Sequence, residues 1–455
     1  MVKNSNRRGF APSLLIAFGL ATTLAVPAGA QVLQDPLRDV VKPVEQVRQQ
    51  VEQRVQERLL EDARLDAELA DVVDIVELAE DTARRTLQST TGEALFVEVT
   101  LPNGDPVIER EWLVLATTET QATLRALGAN VIDEKELSAL GMTLLRFRVP
   151  EQLDSREQLE KHLPAQSHGS LSRHFVYRAQ TSINELEPST SDAQLQQAKW
   201  CDAAVNIGMV DTKIMAEHAA FAHQPITQKT FTDARLQQPL AHGTAVAGLL
   251  VGRSDHYASL LPNARLFNGA VFYRQNALHQ GAALMPLLEA LNWLAEAQVR
   301  VINVSLTGPH SPLFAQAVTQ LADKGIVLVA AAGNNGPLAP AVYPAAYEDV
   351  IAVTAVAADH TIYRWANQGD YIEFASLGVR ITTARRDGNT GFESGTSMAA
   401  PVVAAAAACW LENNSGASLT ALRGFLQGIV EDLGATGHDS AFGHGLISTR
   451  YRVSN

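Results

Sequence analysis

The sequence predicts an α/β protein: a doubly wound parallel sheet preceded by a small α+β domain and a helical N-terminal region. Three observations carry that prediction. From about residue 190, short apolar runs such as Val205–Val210 and Val301–Leu306 alternate with helix-length segments, the pattern of strands covered on both faces. Residues 110–180 carry strand and helix patterns in the order β-α-β-β-α-β. Between residues 36 and 87, Val44, Val47, Val51, Val55 and Leu59 recur at three- and four-residue spacing, which is a helical stripe.

Residues 1–30 read as a signal peptide. Lys3, Arg7 and Arg8 precede an apolar run from Leu14 to Val26, and Ala28-Gly29-Ala30 suits a signal peptidase. The run is too short to span a bilayer, so the expectation is an exported product, secreted or periplasmic, with no stable membrane anchor. Arg7-Arg8-Gly9-Phe10 fits either twin-arginine export or an ordinary basic leader. Residues 31–90 read as an acidic helical spacer, with a second stripe through Leu65, Leu69, Val72, Val73 and Val76. Its charged faces are most simply solvated helix surface. The net charge of −13 is concentrated in residues 31–189, where 29 acidic side chains outnumber 17 basic ones. Nothing in the chain forms a basic face for nucleic acid.

In the α+β segment, Trp112–Ala116, Val131–Ile132, Leu144–Val149 and His174–Tyr177 read as strands, and Thr120–Leu127 and Ser155–Leu163 as helices. From residue 190 to 455 the alternation of strands and helices continues. Cys201 and Cys409 are the only cysteines, and the sequence leaves open whether they pair. No Cys/His cluster has zinc-like spacing, and no cofactor or metal is expected.

The chemistry lies at the edges of three apolar elements. Ser397, in Gly395-Thr396-Ser397-Met398-Ala399-Ala400-Pro401, sits among small residues ahead of an apolar run reaching Leu411. A serine there stands at a helix N-terminus, where first-turn N–H groups can donate to a developing negative charge. Its hydroxyl needs a base, and the base needs a carboxylate to fix its tautomer. His242, in Ala241-His242-Gly243-Thr244, and Asp211, closing Val205–Val210, supply them. The order Asp, His, Ser excludes the α/β-hydrolase elbow, whose acid and histidine follow the serine.

These residues resemble the motifs of the subtilisin-like serine proteases, or subtilases, from about Trp200 to the C-terminus. The resemblance implies a subtilisin-like peptidase domain at 190–455. It assigns Asp211, His242 and Ser397 to a catalytic triad and Asn334, in Val329–Gly336, to the oxyanion hole. Ser305-Leu306-Thr307 and Gly333 match segments that bind the substrate backbone. The βαββαβ segment at 110–180 resembles the subtilase propeptide, a ferredoxin-like domain that assists folding and inhibits in cis; an unrelated accessory domain is the alternative. Three departures stand out: Lys213 where a glycine usually follows the aspartate, Ala245 for a second histidine, and Thr307 for a glycine lining the first specificity pocket. The loop Gly252–Ala258 offers one carboxylate where calcium needs six to eight oxygens, so no calcium site is expected.

The expected function is an exported serine endopeptidase, made as an autoprocessed zymogen and acting on polypeptide substrates. Its own propeptide is the expected intramolecular inhibitor, with maturation between Gln180 and Ala198. Two rivals remain: a non-catalytic subtilase-like module that binds peptides, and a regulatory subtilase devoted to autoprocessing.

Overall fold

The computed structural model describes residues 84–179, 199–276 and 279–448. The signal peptide, residues 31–83 of the spacer and all of the maturation segment lie outside the described residues.

The first sheet is antiparallel. It contains β1 (Arg84–Gln88), β2 (Ala94–Thr100), β3 (Pro106–Leu115), β4 (Asn130–Leu137), β5 (Met142–Arg148) and β6 (Ser172–Ala179). Helices α1 (Thr118–Ala126) and α2 (Arg156–His162) are set between them. Side chains start both helices: Thr117 accepts from the Thr120 N–H and Ser155 from the Gln158 N–H. β5 lies between β4 and β3, and β6 pairs with the other edge of β3, so the split βαββαβ order seen in the sequence is present. One face buries Trp112, Val114, Leu145 and Phe147 against Leu124 and Leu159. The opposite face turns Leu113, Met142 and Leu144 toward the second half of the chain.

The expected helical spacer requires a correction at its end. Arg84–Gln88 is a strand, not a helix, and it pairs antiparallel with β2, which in turn adds to β3. Leu87 is buried there beside Ile108 and Val176. A single apolar anchor in a five-residue strand is too short a pattern to distinguish from a helical stripe.

The second half is built on β7 (Asn206–Asp211), β8 (Ile226–Thr230), α3 (Ala241–Val251), β9 (Arg265–Ala270), β10 (Tyr273–Arg274), β11 (Gln280–Ala283) and α4 (Leu284–Glu296). It continues through β12 (Val301–Val304), β13 (Leu306–Thr307), α5 (Pro312–Asp323), β14 (Val327–Ala331), β15 (Val350–Val356) and β16 (Phe374–Leu377). It ends with β17 (Ile381–Ala384), β18 (Thr390–Glu393), α6 (Thr396–Asn413) and α7 (Leu419–Gln427). Seven parallel strands run in the order β16-β15-β14-β12-β7-β9-β8. One face packs Ile207, Met209, Val329 and Val353 against α3 and α6, and the other packs Ile302, Leu328 and Ala352 against α4 and α5. This is the doubly wound α/β fold that the sequence predicted. The chain leaves β7 for β8 and β9 on one side, then crosses through α4 to β12 on the other. The crevice at the carboxyl end of β7 is therefore a topological switch point, where such sheets bind ligands.

Cys201 and Cys409 form a disulfide, which answers the question the sequence left open. It ties the segment ahead of β7 to the end of α6.

Candidate active site

Asp211 is the last residue of β7 and is completely buried. Its carboxylate receives the Thr212 N–H at 2.6 Å and faces His242, the second residue of α3. The His242 Nδ1 lies 2.7 Å from Asp211 Oδ1 and 3.0 Å from Oδ2. An ionised carboxylate only accepts, so Nδ1 carries the proton and Nε2 of the neutral ring is the acceptor. This approach requires the glycine after the histidine. A Cβ on Gly243 would come within 2.5 Å of the Thr212 carbonyl, while its N–H donates to Thr212 Oγ1 at 2.8 Å. Asn268, on the neighbouring β9, donates to Thr212 O at 3.0 Å and fixes the same turn.

Ser397 is the second residue of α6 and is 1% exposed. Gly395 precedes the helix at φ +136°, a conformation that side chains resist. Pro401 lies inside the helix and lacks the N–H that would otherwise reach Ser397 O. That carbonyl accepts instead from Ser305 Oγ at 3.5 Å, and Ser305 Oγ accepts from Asn303 Nδ2 at 2.9 Å. Ser305 thus supports the start of the serine helix from beneath.

Asn334 follows β14 in a turn opened by Gly333 at φ +107°. Its Oδ1 accepts from both Thr396 N–H and Thr396 Oγ1–H, each at 3.0 Å. A backbone N–H can only donate, so the atom it meets is the oxygen and the amide orientation is fixed. The Thr396 hydroxyl also accepts from the Gly333 N–H at 3.2 Å. Thr396 and Thr212 are additions to the site residues expected from the sequence. Their signal is adjacency, since each lies beside a triad residue and carries a hydroxyl that can meet backbone groups. Glu393, four residues before Ser397, is held above the ordinary carboxyl range by burial, opposed by the charges of Arg385 and His242.

Leu306 and Thr307 are covered by another part of the chain. β6 pairs antiparallel with β13, matching Leu306 to Ala179 and Thr307 to Arg178. On its other side it pairs with β11, matching Gly281 to Arg178, Ala282 to Tyr177 and Ala283 to Val176. Tyr177 is fully buried, donates to Pro309 O at 3.1 Å and meets Phe314 edge-on at 5.4 Å. A Cβ on Gly308 would fall 2.3 Å from the Tyr177 ring, so that glycine makes room for it. The two backbone groups of Gly333, expected to meet substrate, both have partners within the protein: Thr396 Oγ1 and the Asn367 N–H.

The family model described as the subtilase family matches residues 202–445. The minor extracellular protease Epr of Bacillus subtilis (strain 168) is 32% identical over 219 residues, covering 47% of this chain and 33% of that protein. The thermophilic serine proteinase of Bacillus sp. (strain AK1) is also 32% identical, over 217 residues, and the match spans 52% of it. Subtilisin DY of Bacillus licheniformis is 30% identical over 262 residues, 56% of this chain and 93% of that one. The chain thus spans a third to a half of the first two relatives and nearly all of the third. In fold it is similar to fervidolysin from Fervidobacterium pennivorans, a keratinolytic enzyme related to subtilisin. That likeness has a TM-score of 0.61 at 17% identity, covering 81% of this chain and 63% of the other.

Proposed function

The chain belongs to the subtilase family, and on that premise we propose that it is an exported serine endopeptidase made as a zymogen. The observation that carries the reading is the contact of His242 Nδ1 with both oxygens of the buried Asp211 carboxylate. It leaves Nε2 as the base for Ser397. Ser397 Oγ attacks the scissile carbonyl as its proton passes to His242 Nε2. The resulting imidazolium is stabilised by Asp211 and then protonates the leaving amine. A water, deprotonated by the same histidine, hydrolyses the acyl-enzyme. Asn334 Nδ2 and the Ser397 N–H are the donors to the oxyanion; Thr396 holds the amide in the orientation this requires.

Residues 84–179 act in this reading as the propeptide. β6 lies along β13 and β11 in the antiparallel pairing that an extended substrate would adopt, which supports inhibition by occupation of the substrate edge. Cleavage beyond Ala179 would free that edge. The exported location rests on the leader sequence and on relatives that include an extracellular protease.

The test is Ser397→Ala in the full chain, made in a host without other proteases. The variant should stay at the mass of the unprocessed chain and fail to react with a fluorophosphonate, whereas the wild type is processed and labelled. Processing or labelling of the variant would overturn the assignment.

A further inference from the structure

The turn that carries Asn334 leaves the sheet at Ala332 and passes through Gly333 in a left-handed conformation. Such a turn has few bonds of its own to hold it. Apart from the Gly333 N–H bond to Thr396, the bonds that fix it come largely from a loop elsewhere in sequence, between β15 and β16, and three of them are made by one residue, Asn367. This side chain is fully buried. Its backbone N–H donates to Gly333 O at 3.0 Å. Its Oδ1 accepts from the Asn335 N–H at 2.8 Å, and its Nδ2 donates to Pro340 O at 3.3 Å.

The three bonds bracket Asn334: one on the residue before it, one on the residue after, and one where the segment turns away. Contact with Gly333 is close enough that a Cβ there would lie 2.9 Å from Asn367 Nδ2. The same loop adds a Tyr371 hydroxyl donating to Ala332 O at 2.8 Å and a Trp365 carbonyl accepting from the Gly336 N–H at 2.8 Å. Thr396 orients the Asn334 amide and receives the Gly333 N–H, and the loop carrying Asn367 fixes the rest of the backbone from which that amide projects.

We propose that Asn367 is a positioning residue of the oxyanion hole, acting on the reaction through Asn334. The inference rests on the reading of Asn334 as an oxyanion donor. The chemistry explains why an asparagine is needed. One planar group must accept from an N–H on one side and donate to a carbonyl on the other. Aspartate offers only acceptors, so it would turn an oxygen toward Pro340 O and place a buried anion beside the site of developing negative charge. A smaller residue would leave the Asn335 N–H and the Pro340 carbonyl without their partner. Displacement of a preorganised donor by a fraction of an ångström weakens transition-state binding far more than substrate binding.

The experiment is a double-mutant cycle on the processed enzyme, with active sites titrated by a fluorophosphonate and kcat and KM measured on a peptide substrate. Asn367→Asp should lower kcat about 10- to 100-fold with KM nearly unchanged. In an Asn334→Ala background the same exchange should cost much less, because the group it positions is gone. An equal loss in both backgrounds, or an unchanged kcat in the folded variant, would overturn the inference. If Asn334→Ala alone leaves kcat unchanged, the oxyanion reading itself fails, whatever Asn367 does. Asn367→Ser, which keeps a small polar side chain, enters the same cycle if the aspartate variant does not mature, and the same outcomes apply.

Discussion

Every residue of β12, β14 and β15 in the parallel sheet is buried, whereas β5 and β6 of the antiparallel sheet mix buried with half-buried positions, and Arg178 on β6 is exposed. The difference follows from what covers them. Helices lie on both faces of the parallel sheet, so its ionisable groups are confined to strand ends, as at Asp211, or to the outer strand β8. The antiparallel sheet has its own helices on one face and α4 and α5 on the other. There, ionisable groups sit in mid-strand, at the border between the two regions. His174 on β6 is buried, with Nδ1 2.9 Å from Glu111 Oε2 and Nε2 accepting from the Met285 N–H in the first turn of α4 at 3.3 Å. Glu98 on β2 is buried against Tyr273 and Gln275. In the proposed reading one region uses a buried ionisable group to prepare chemistry; the other uses buried ionisable groups as hydrogen-bond partners across the border between two parts. The first should therefore respond to mutation through kcat, and the second through stability and pH.

The largest effect tests the first half of that contrast. Asp211→Asn removes the charge but keeps the shape, and lets His242 take the wrong tautomer. kcat should fall by about 10⁴-fold with little change in KM, a size known from the same kind of exchange in other Ser-His-Asp enzymes. Glu111→Gln removes a buried charge from the region that processing detaches; it should lower Tm of the full chain carrying Ser397→Ala, while leaving kcat unchanged in enzyme matured from the chain that keeps Ser397. A comparable kcat loss from both would break the contrast.

Much of this arrangement was legible in the sequence, and the limits of what could be read are physical. Asp211, His242, Ser397 and Asn334 each follow or precede an apolar run, and a strand or helix end is the place where a buried sheet can present a polar group. The residues that fix them were not legible. Asn367 lies in an irregular loop with no periodicity, and its role depends on three backbone groups between Gly333 and Pro340. The β1–β2 hairpin offered only Leu87 as a buried anchor in its first strand. Cys201 and Cys409 are 208 residues apart, so only the fold could bring them together. Thr307, which stands where a glycine was expected to line the first specificity pocket, is buried and paired with Arg178 of β6.

The disulfide gives the next effect, confined to the peptidase region. Closing so long a loop restricts the unfolded chain, and its loss typically costs about 2–5 kcal/mol. Cys201→Ser with Cys409→Ser should lower the denaturant midpoint without changing kcat at low temperature. An unchanged midpoint would mean that the ends of the 208-residue loop are held as firmly by packing alone.

A smaller effect should appear at the border. Burial holds the His174 pKa below its ordinary value, partly offset by Glu111, while the Arg146 charge adds to the lowering. Burial works against the charge of Glu111 too, but His174, Arg146 and Arg148 outweigh it and hold that carboxyl below its usual range. Because the folded histidine binds its proton less readily than the unfolded one, its contribution is present above pH ~6.5 and is lost as pH falls through the depressed folded value. Protonation would also set a ring N–H against the Met285 N–H at the positive end of α4. Thermal unfolding of the full chain carrying Ser397→Ala should therefore show Tm falling below pH ~6.5. Adding His174→Gln, which can still accept from Met285, should flatten that fall. A pH profile that is the same with and without His174 would show that other groups set it.

The smallest effect belongs to Glu98, where the sign is opposite. Burial is the largest influence on its carboxyl and raises its pKa, against hydrogen bonds from Tyr273 and Gln275 and the charges of Arg85 and Arg178. A raised carboxyl pKa stabilises the folded chain at low pH, and the benefit is lost as pH rises through the ordinary carboxyl range to the raised value. At neutral pH the ionised group therefore carries a desolvation cost that a neutral amide would not. Glu98→Gln keeps an oxygen for the Tyr273 hydroxyl, which now lies 2.5 Å from Glu98 Oε1. Its new NH₂ would face Gln275, which can turn its own amide. The Gln275 Oε1 has no hydrogen-bond partner among the described residues, so the reversal gives up no existing bond. The substitution should leave stability at pH 7 equal or slightly raised, by ~1 kcal/mol or less. It should also steepen the fall of Tm on the acid side, because the gain from protonating Glu98, which partly offsets the loss from His174 in wild type, is gone. A clear loss of stability at pH 7 would mean that the charge of Glu98 is itself paired with Arg85 and Arg178, and that this border is held by attraction between ions.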